Sequence, residues 1–314
     1  MKNKIITALI LTILIIMAIL SIGPITDQLA QFLKQDPKVV INPPNAYYRD
    51  INFKYVQQSE DFIPYSRQDL KNIFYSILNN GYETFTFYCA TEYEKCVEDV
   101  LDITSQETNI LPHINNFVHP FNGFSGFDLS YTEAGEITVS VTKAYNNEDI
   151  YVLNNEIDKI MNNLIKPEMD DEEKILAIHD HIINITRYDL KFDPKQPALS
   201  PFRSNRAMGP LLQGYAVCSG YTDAMAIFLN LFDIPNFKIA TEGDEDEAGH
   251  IWNAVYVDGK WLHLDLTWND PVNLNNPEQQ TLIHKFFLIN TNTLRSLNIN
   301  EHDFDLTIYQ EMAI

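Results

Sequence analysis

Apolar residues recur every three to four positions in SRQDLKNIFYSILNNG, residues 66–81, between a serine suited to an N-cap and a terminal glycine, which predicts a helix. ETFTFYC alternates and predicts a strand. TEYEKCVEDVL follows with Thr91-x-x-Glu94 in a capping-box pattern, so a second helix is expected from there. Residues 124–144 read as strands around the turn Glu133-Ala134-Gly135. Helical spacing returns in EDIYVLNNEIDKIMNNLI and again in PEMDDEEKILAIHDHIINITRYD, which Asp170-x-x-Glu173 opens. After an irregular proline-containing stretch, GYTDAMAIFLNLF repeats the helical pattern from about Cys218, and strands begin at 236. HIWNAVYVDGKWLHLDLTWND, residues 250–270, holds two strand-like runs flanking Asp258-Gly259, a dipeptide that favours a two-residue type I′ turn.

The first residues carry a different pattern. Lys2 and Lys4 precede IITALILTILIIMAILSI, residues 5–22, an uncharged run about as long as a bilayer core requires. The small-x-small site Ser21-Ile22-Gly23 is followed by Pro24, which favours an uncleaved single membrane anchor; secretion after signal cleavage is the alternative. The short basic side is expected in the cytoplasm and the bulk of the chain outside it. Pro24, Pro37, Pro43 and Pro44 mark a linker. The predicted class is α+β: an N-terminal membrane-anchor helix over 1–23, a linker over 24–44, a small α+β domain over 45–145 without a visible chemical motif, and a second domain over 146–314.

Composition narrows the partners. At 314 residues and 45% hydrophobic content, the chain suffices for one large or two modest globular domains. A formal net charge of -21 argues against a nucleic-acid backbone or an anionic lipid surface as the main partner. Of the three cysteines, Cys89 and Cys96 lie close together and are either bridged in an oxidising compartment or buried as small hydrophobes, which leaves Cys218 as an odd thiol.

Gly214, Ala216, Ser219 and Gly220 leave room for close backbone approach around Cys218. A thiol at a helix start meets unpaired N–H groups and the positive end of the dipole, both of which favour thiolate over thiol. Cys218 is therefore a candidate nucleophile. In the 250–270 hairpin, pairing Val257 with Lys260 sets His250 opposite Thr267, Trp252 opposite Asp265 and Tyr256 opposite Trp261. His250 and Asp265 then share a face as diagonal neighbours, roughly 7–8 Å apart at the backbone. An imidazole beside a carboxylate is held in one tautomer and stabilised as the cation, the partner a thiolate needs. The opposite face, with Ile251, Val255, Val257, Leu262, Leu264 and Leu266, is apolar and requires a cover. The His250 face is expected to meet the Cys218 helix, with Trp252 and Trp261 shielding the pair from water.

KILAIHDHIINITRYD, GYAVCSGYTDAMAIFLNLFDIP, GHIWNAVYVDGKWLHLDLTWNDP and HKFFLINTNTL, in that order, resemble the bacterial transglutaminase-like superfamily over roughly residues 150–295. The resemblance implies a papain-like domain with the cysteine on a helix N-terminus packed against an antiparallel sheet, and a triad of Cys218 as nucleophile, His250 as base and Asp265 as orienter. It also implies acyl transfer: the Cys218 thiolate attacks a protein or peptide amide, and the resulting thioester passes to an amine as a cross-link or to water as deamidation or proteolysis. Both outcomes stay open. The oxyanion hole is expected to use the Cys218 backbone N–H and one further donor, with Gln213 and Tyr215 as candidates and Trp252 as a cleft residue. The chemistry needs no metal and no cofactor.

Other polar groups read more simply. Glu242, Asp244, Glu245, Asp246 and Glu247 form an acidic loop before His250, a solvated surface unless it attracts lysine side chains or raises the histidine's proton affinity. His179 and His181 lie two apart on a predicted helix, face different sides and make a poor metal pair. His263 packs beside Tyr256 or Trp261, or lines the cleft. The leading function is a membrane-anchored, extracytoplasmic cysteine acyltransferase or protease acting on protein or peptide amides, cell-wall-linked ones included. A non-catalytic cell-envelope binding module on the same fold is the alternative, and a tethered intracellular structural protein of opposite topology is a third.

Overall fold

Caps and turns written in the sequence set the first elements. The Ser66 hydroxyl accepts from Asp69 N at 3.2 Å and opens α1, Arg67–Asn79. A computed structural model describes this and the rest of residues 39–132, 134–243, 249–273, 275–276 and 281–313. The expected anchor over 1–23, and the linker up to residue 38, lie outside the described residues. Among the described residues no helix is long and apolar enough to cross a membrane. Buried Leu70, Ile73, Phe74 and Ile77 turn α1 toward an antiparallel sheet of β1 Thr84–Tyr88, β2 Phe124–Tyr131 and β3 Glu136–Lys143, ordered β1-β3-β2. Phe74 meets Phe87 and Phe127 edge-on across that layer.

The helix expected from Thr91 begins later, at α2 Cys96–Thr104, and the Thr91 hydroxyl turns to Glu92 rather than capping it. A disulfide accounts for the delay. Cys89, just after β1, is bridged to Cys96, so the intervening residues turn back before the helix starts, through Tyr93 N to Ala90 O and Cys96 N to Tyr93 O. A short α3, Ile110–Asn115, follows.

Reciprocal capping boxes, Asn146 with Asp149 and Asp170 with Glu173, open α4 Asn147–Leu164 and α5 Asp171–Ile185. β4 Arg187–Tyr188 and β5 Tyr215–Ala216 form a parallel pair with Tyr188 opposite Ala216. α6 runs Cys218–Leu231, and a Cβ at Gly220 would fall 2.1 Å from Ser204 O, so only glycine lets the helix head seat on the preceding loop. β6 Asn236–Ala240, β7 Ile251–Val257 and β8 Lys260–Leu264 form an antiparallel sheet in that order.

The register expected at the Asp258-Gly259 turn holds from Val257↔Lys260 to Asn253↔Leu264. Beyond Leu264 it stops. Asp265 leaves the sheet to cap α7, Leu266–Asn269, accepting from Trp268 N at 3.1 Å, so the expected pairs Trp252–Asp265 and His250–Thr267 do not form. Trp252 pairs instead with Ile239 on β6. α8, Thr291–Ser296, lies beyond.

The two faces of this sheet are covered in the reverse of the expected order. α6 packs on the apolar face, where Val255, Val257 and Leu264 join Ala224, Ile227 and Phe228 in one core. Lys238 Nζ reaches Asp223 Oδ1 across that interface at 2.9 Å. The face carrying Phe237, Trp252, Trp261 and His263 is covered by Phe53 and Phe117 from the N-terminal half and by Phe304 and Tyr309 from the C-terminal segment. Cys218 meets His250 by another route: His250 precedes β7, and the head of α6 passes that strand end, with Thr222 Oγ1 donating to Ile251 O at 2.9 Å. Residues 42–314 accordingly form one compact unit, and the expected boundary at 145/146 falls inside it. Buried Arg49 donates to Phe117 O and Asn236 O, and Lys238 N donates to Asn116 O at 2.9 Å.

Candidate active site

Cys218 is the first residue of α6, half-buried and unbridged. Its backbone N–H belongs to the first helical turn and has no intrahelical acceptor. His250 Nε2 donates to Asp265 Oδ2 at 2.7 Å, with both residues buried. The remaining ring nitrogen is left for the Cys218 side chain, with which His250 shares a hydrogen bond. Burial disfavours the imidazolium, but the Asp265 charge and hydrogen bond, joined by Cys218, outweigh it and push His250 up to about 10. Burial also acts against the Asp265 carboxylate, yet the His250 charge and hydrogen bonds from His250 and His302 hold it well below the usual carboxylate range. The arrangement holds a charged imidazolium against the Cys218 sulfur, where it can offset negative charge on sulfur and give a proton to a leaving group.

The other expected site residues separate. Trp252 lies almost fully buried with its indole stacked 5.5 Å from the His250 ring, and its Nε1–H donates to His263 Nδ1 at 2.9 Å. Trp261 does not shield the pair: it packs on Phe237 and Tyr256. The exposed Gln213 has Oε1 occupied by Arg203 N at 2.7 Å, and Tyr215 stacks on Phe202, 4.1 Å between centroids. Neither side chain is engaged with Cys218. The acidic loop lies outside the described residues apart from Glu242, which accepts from Asn109 Nδ2 at 3.1 Å.

Sequence reading missed Tyr188 and His302. Tyr188 stands on β4 opposite Ala216, two residues before Cys218, and its hydroxyl makes no hydrogen bond among the described residues. Burial, then the proximity of Cys218, Glu301, Asp189 and Asp265, pushes it up to about 12. His302 donates Nε2–H to the same Asp265 Oδ2 at 2.8 Å. The strand pattern offered no sign of either, although the TRYD run places Tyr188 at a helix exit.

Among the described residues two groups have ligand-bearing side chains close together, His250 with Asp265 and His302, and His179 with Asp180 and His284. The second is held by fixed protons. Asn269 Oδ1 accepts from Phe286 N at 2.8 Å, so its amide N–H faces His179 Nε2 at 3.0 Å and the imidazole proton sits on Nδ1, 2.8 Å from Asp180 Oδ1. A metal on Nδ1 would have to displace that proton with no acceptor to receive it at Nε2. The 640 Å³ cavity lined by Tyr47, Arg49, His119 and Pro235 includes none of the candidate catalytic residues.

Buried neutral histidines give the fold an acid-sensitive side. His263 accepts from Trp252 and donates to Thr291 Oγ1 at 3.1 Å; burial, with His302 beside it, holds it down to about 3. Burial and the nearby Arg49 and Lys238 likewise bring His119 down to about 3. Both bind a proton in the unfolded chain near the usual 6.5 but not in the folded one, so their stabilisation is present above pH 6.5 and declines as the pH falls toward 3. Thermal melts between pH 7 and 4 should show a decline that His263→Gln reduces, and a flat profile would refute this assignment.

A cysteine on a helix head, an imidazole against it and a buried carboxylate behind are the parts that cysteine proteases and acyltransferases share. Residues 158–266 match the family model of the transglutaminase-like superfamily, whose members generally have one or other of those activities. Among solved structures the chain aligns with a TGase at 15% identity and a TM-score of 0.33, covering 59% of this chain and 52% of that one. It also aligns with a candidate cysteine protease from Cytophaga hutchinsonii at 13% identity and a TM-score of 0.28, covering 45% of this chain and 61% of that one. The chain thus spans less than two thirds of either neighbour. No curated protein matches the sequence.

Proposed function

We propose that the chain is an extracytoplasmic thiol acyltransferase of the transglutaminase-like type, tethered through residues 5–22 and acting on protein or peptide amides, cell-wall-linked ones included. The observation that carries the proposal is Cys218 at the head of α6 with the buried His250–Asp265 pair beside it. The Cys89–Cys96 disulfide supports an oxidising compartment.

In this scheme the Cys218 thiolate adds to the amide carbonyl, forming a C–S bond and an oxyanion. His250 gives its proton to the departing nitrogen as the C–N bond breaks, releasing ammonia or an amine and leaving a thioester. An acceptor amine or water then attacks, His250 takes its proton, and the thiolate returns. Asp265 holds the imidazole in the tautomer whose other nitrogen faces the thiol. The oxyanion is received by the Cys218 N–H and, in place of Gln213 or Tyr215, by the Tyr188 hydroxyl. Tyr188→Phe should lower kcat by about 10²-fold with KM little changed, the cost of one oxyanion donor. An unaltered kcat would remove Tyr188 from this role.

The test is to offer glutamine-containing proteins and short peptides with and without a labelled primary amine, and to follow ammonia release, label incorporation and peptide cleavage. Activity that is lost in Cys218→Ala supports the enzyme. A cellular phenotype of the deletion strain that Cys218→Ala rescues fully would favour the non-catalytic binding module instead.

A further inference from the structure

We infer that His302 is a positioning residue of this site, its Nε2–H holding Asp265 Oδ2 beside His250 and thereby limiting how tightly the carboxylate retains the His250 proton. The inference rests on the reading of Cys218 and His250 as nucleophile and base.

His302 lies in a turn at Asn300–His302, outside the segment matched to the superfamily. Its Nε2 is 2.8 Å from Asp265 Oδ2, the oxygen that His250 Nε2 meets at 2.7 Å, while Oδ1 is occupied by Trp268 N at 3.1 Å. An ionised carboxylate only accepts, so both imidazoles present N–H to it. The far nitrogen of His302, Nδ1, is buried without a hydrogen-bond partner. The ring stacks 5.4 Å from Phe286 and meets Trp252 edge-on at 4.9 Å. A side chain needed only to fill that aromatic slot would serve better as phenylalanine, which leaves no polar atom unsatisfied. The nitrogen that remains useful is the one on Asp265.

The turn is tied to His250 as well. The Thr241 hydroxyl accepts from His250 N at 3.1 Å and donates to Glu301 O at 3.0 Å, and Trp268 Nε1 donates to Glu301 Oε2 at 3.2 Å. The separation of the two imidazoles is therefore set by backbone as well as by the shared oxygen. The titratable groups around the pair are Cys218 from α6, Tyr188 from β4, His263 from β8, His179 from α5 and Glu301 beside His302. His302 alone among them shares Oδ2 with His250. A carboxylate that divides its charge between two donors holds either proton less firmly than one that faces a single donor.

The test compares His302→Phe with His302→Gln. Phenylalanine keeps the ring and loses the donor; glutamine loses the ring and can place an amide N–H near the former Nε2. Iodoacetamide alkylation of Cys218, followed by peptide mass spectrometry from pH 5 to 11, reads the step at which His250 loses its proton, without requiring a known substrate. His302→Phe should move that step upward by about 0.5–1 pH unit, and His302→Gln should leave it near the wild-type position. The opposite order, with phenylalanine silent and glutamine displaced, means packing alone and overturns the inference. A wild-type profile with no His250-dependent step is a different failure: it overturns the catalytic reading. Should His302→Phe not fold, long-range ¹H–¹⁵N spectra of the wild-type chain decide, an Nε2–H tautomer at His302 supporting the inference and an Nδ1–H tautomer overturning it.

Discussion

His250→Ala is expected to lower turnover by about 10⁴-fold or more while leaving KM nearly unchanged, because it removes both the proton donor for the departing nitrogen and the cation beside the Cys218 thiolate. The protein should remain folded, since Asp265 keeps the His302 and Trp268 hydrogen bonds and loses one partner of three. The lost pair still costs stability, about 3 kcal/mol for a buried carboxylate deprived of its main cation. That cost depends on pH in a definite direction. His250 is raised from the usual 6.5 to about 10 in the folded chain, so the stabilisation it carries is fully present below pH 6.5 and is lost as the pH rises through about 10. The gap in Tm between wild type and His250→Ala should therefore be widest at or below pH 6.5 and narrow toward pH 10. A gap that stays constant across this range would mean that His250 is not held as the cation.

Asp265→Asn is expected to lower turnover by about 10³-fold or more, although the substitution changes only one atom of a buried side chain. Asp265 accepts at both oxygens, from Trp268 N at Oδ1 and from two imidazoles at Oδ2. An asparagine offers one oxygen and one NH₂. If the oxygen stays on Trp268 N, the amide N–H groups face both histidines, whose protons must then move to Nδ1. For His250 that places the proton toward Cys218 and removes the base. If the amide flips, the Trp268 N–H is left facing a donor at the head of α7. Either way about 3–5 kcal/mol of stability is expected to go with the buried charge. Single-turnover kinetics and thermal melts on the same preparation check both parts; turnover within tenfold of wild type would contradict the account.

Legibility in the sequence followed the range of the forces involved. Helix starts set by local caps, at Ser66 and Asp170, stand where side-chain type and spacing put them, and the Asp258-Gly259 turn fixed the β7–β8 register. Cys218, His250 and Asp265 were each visible as residues, but the geometry that joins His250 to Asp265 was not. A continued hairpin would have left them diagonal neighbours; the short contact exists because Asp265 ends the strand and caps α7. The cap was readable in principle, as an aspartate before Leu-Thr-Trp-Asn and a proline at 271. The covering of the sheet faces was not, because alternation tells which residues share a face and not which distant segment lies on it. Phe53 and Phe117 carry the same apolar signal whether they close a core of their own or, as here, cap Phe237 and Tyr309. His302 had no local signature at all: its meaning comes from a carboxylate 37 residues earlier.

Whether Cys218 and His250 act as one chemical unit is read from the rate at which iodoacetamide alkylates Cys218 at pH 6 in wild type and in His250→Ala. A thiolate held beside an imidazolium should react about 10- to 100-fold faster than the same cysteine without its histidine, and only in the folded protein. Equal rates in the two proteins would contradict the account, leaving Cys218 an ordinary thiol and the fold a scaffold for binding.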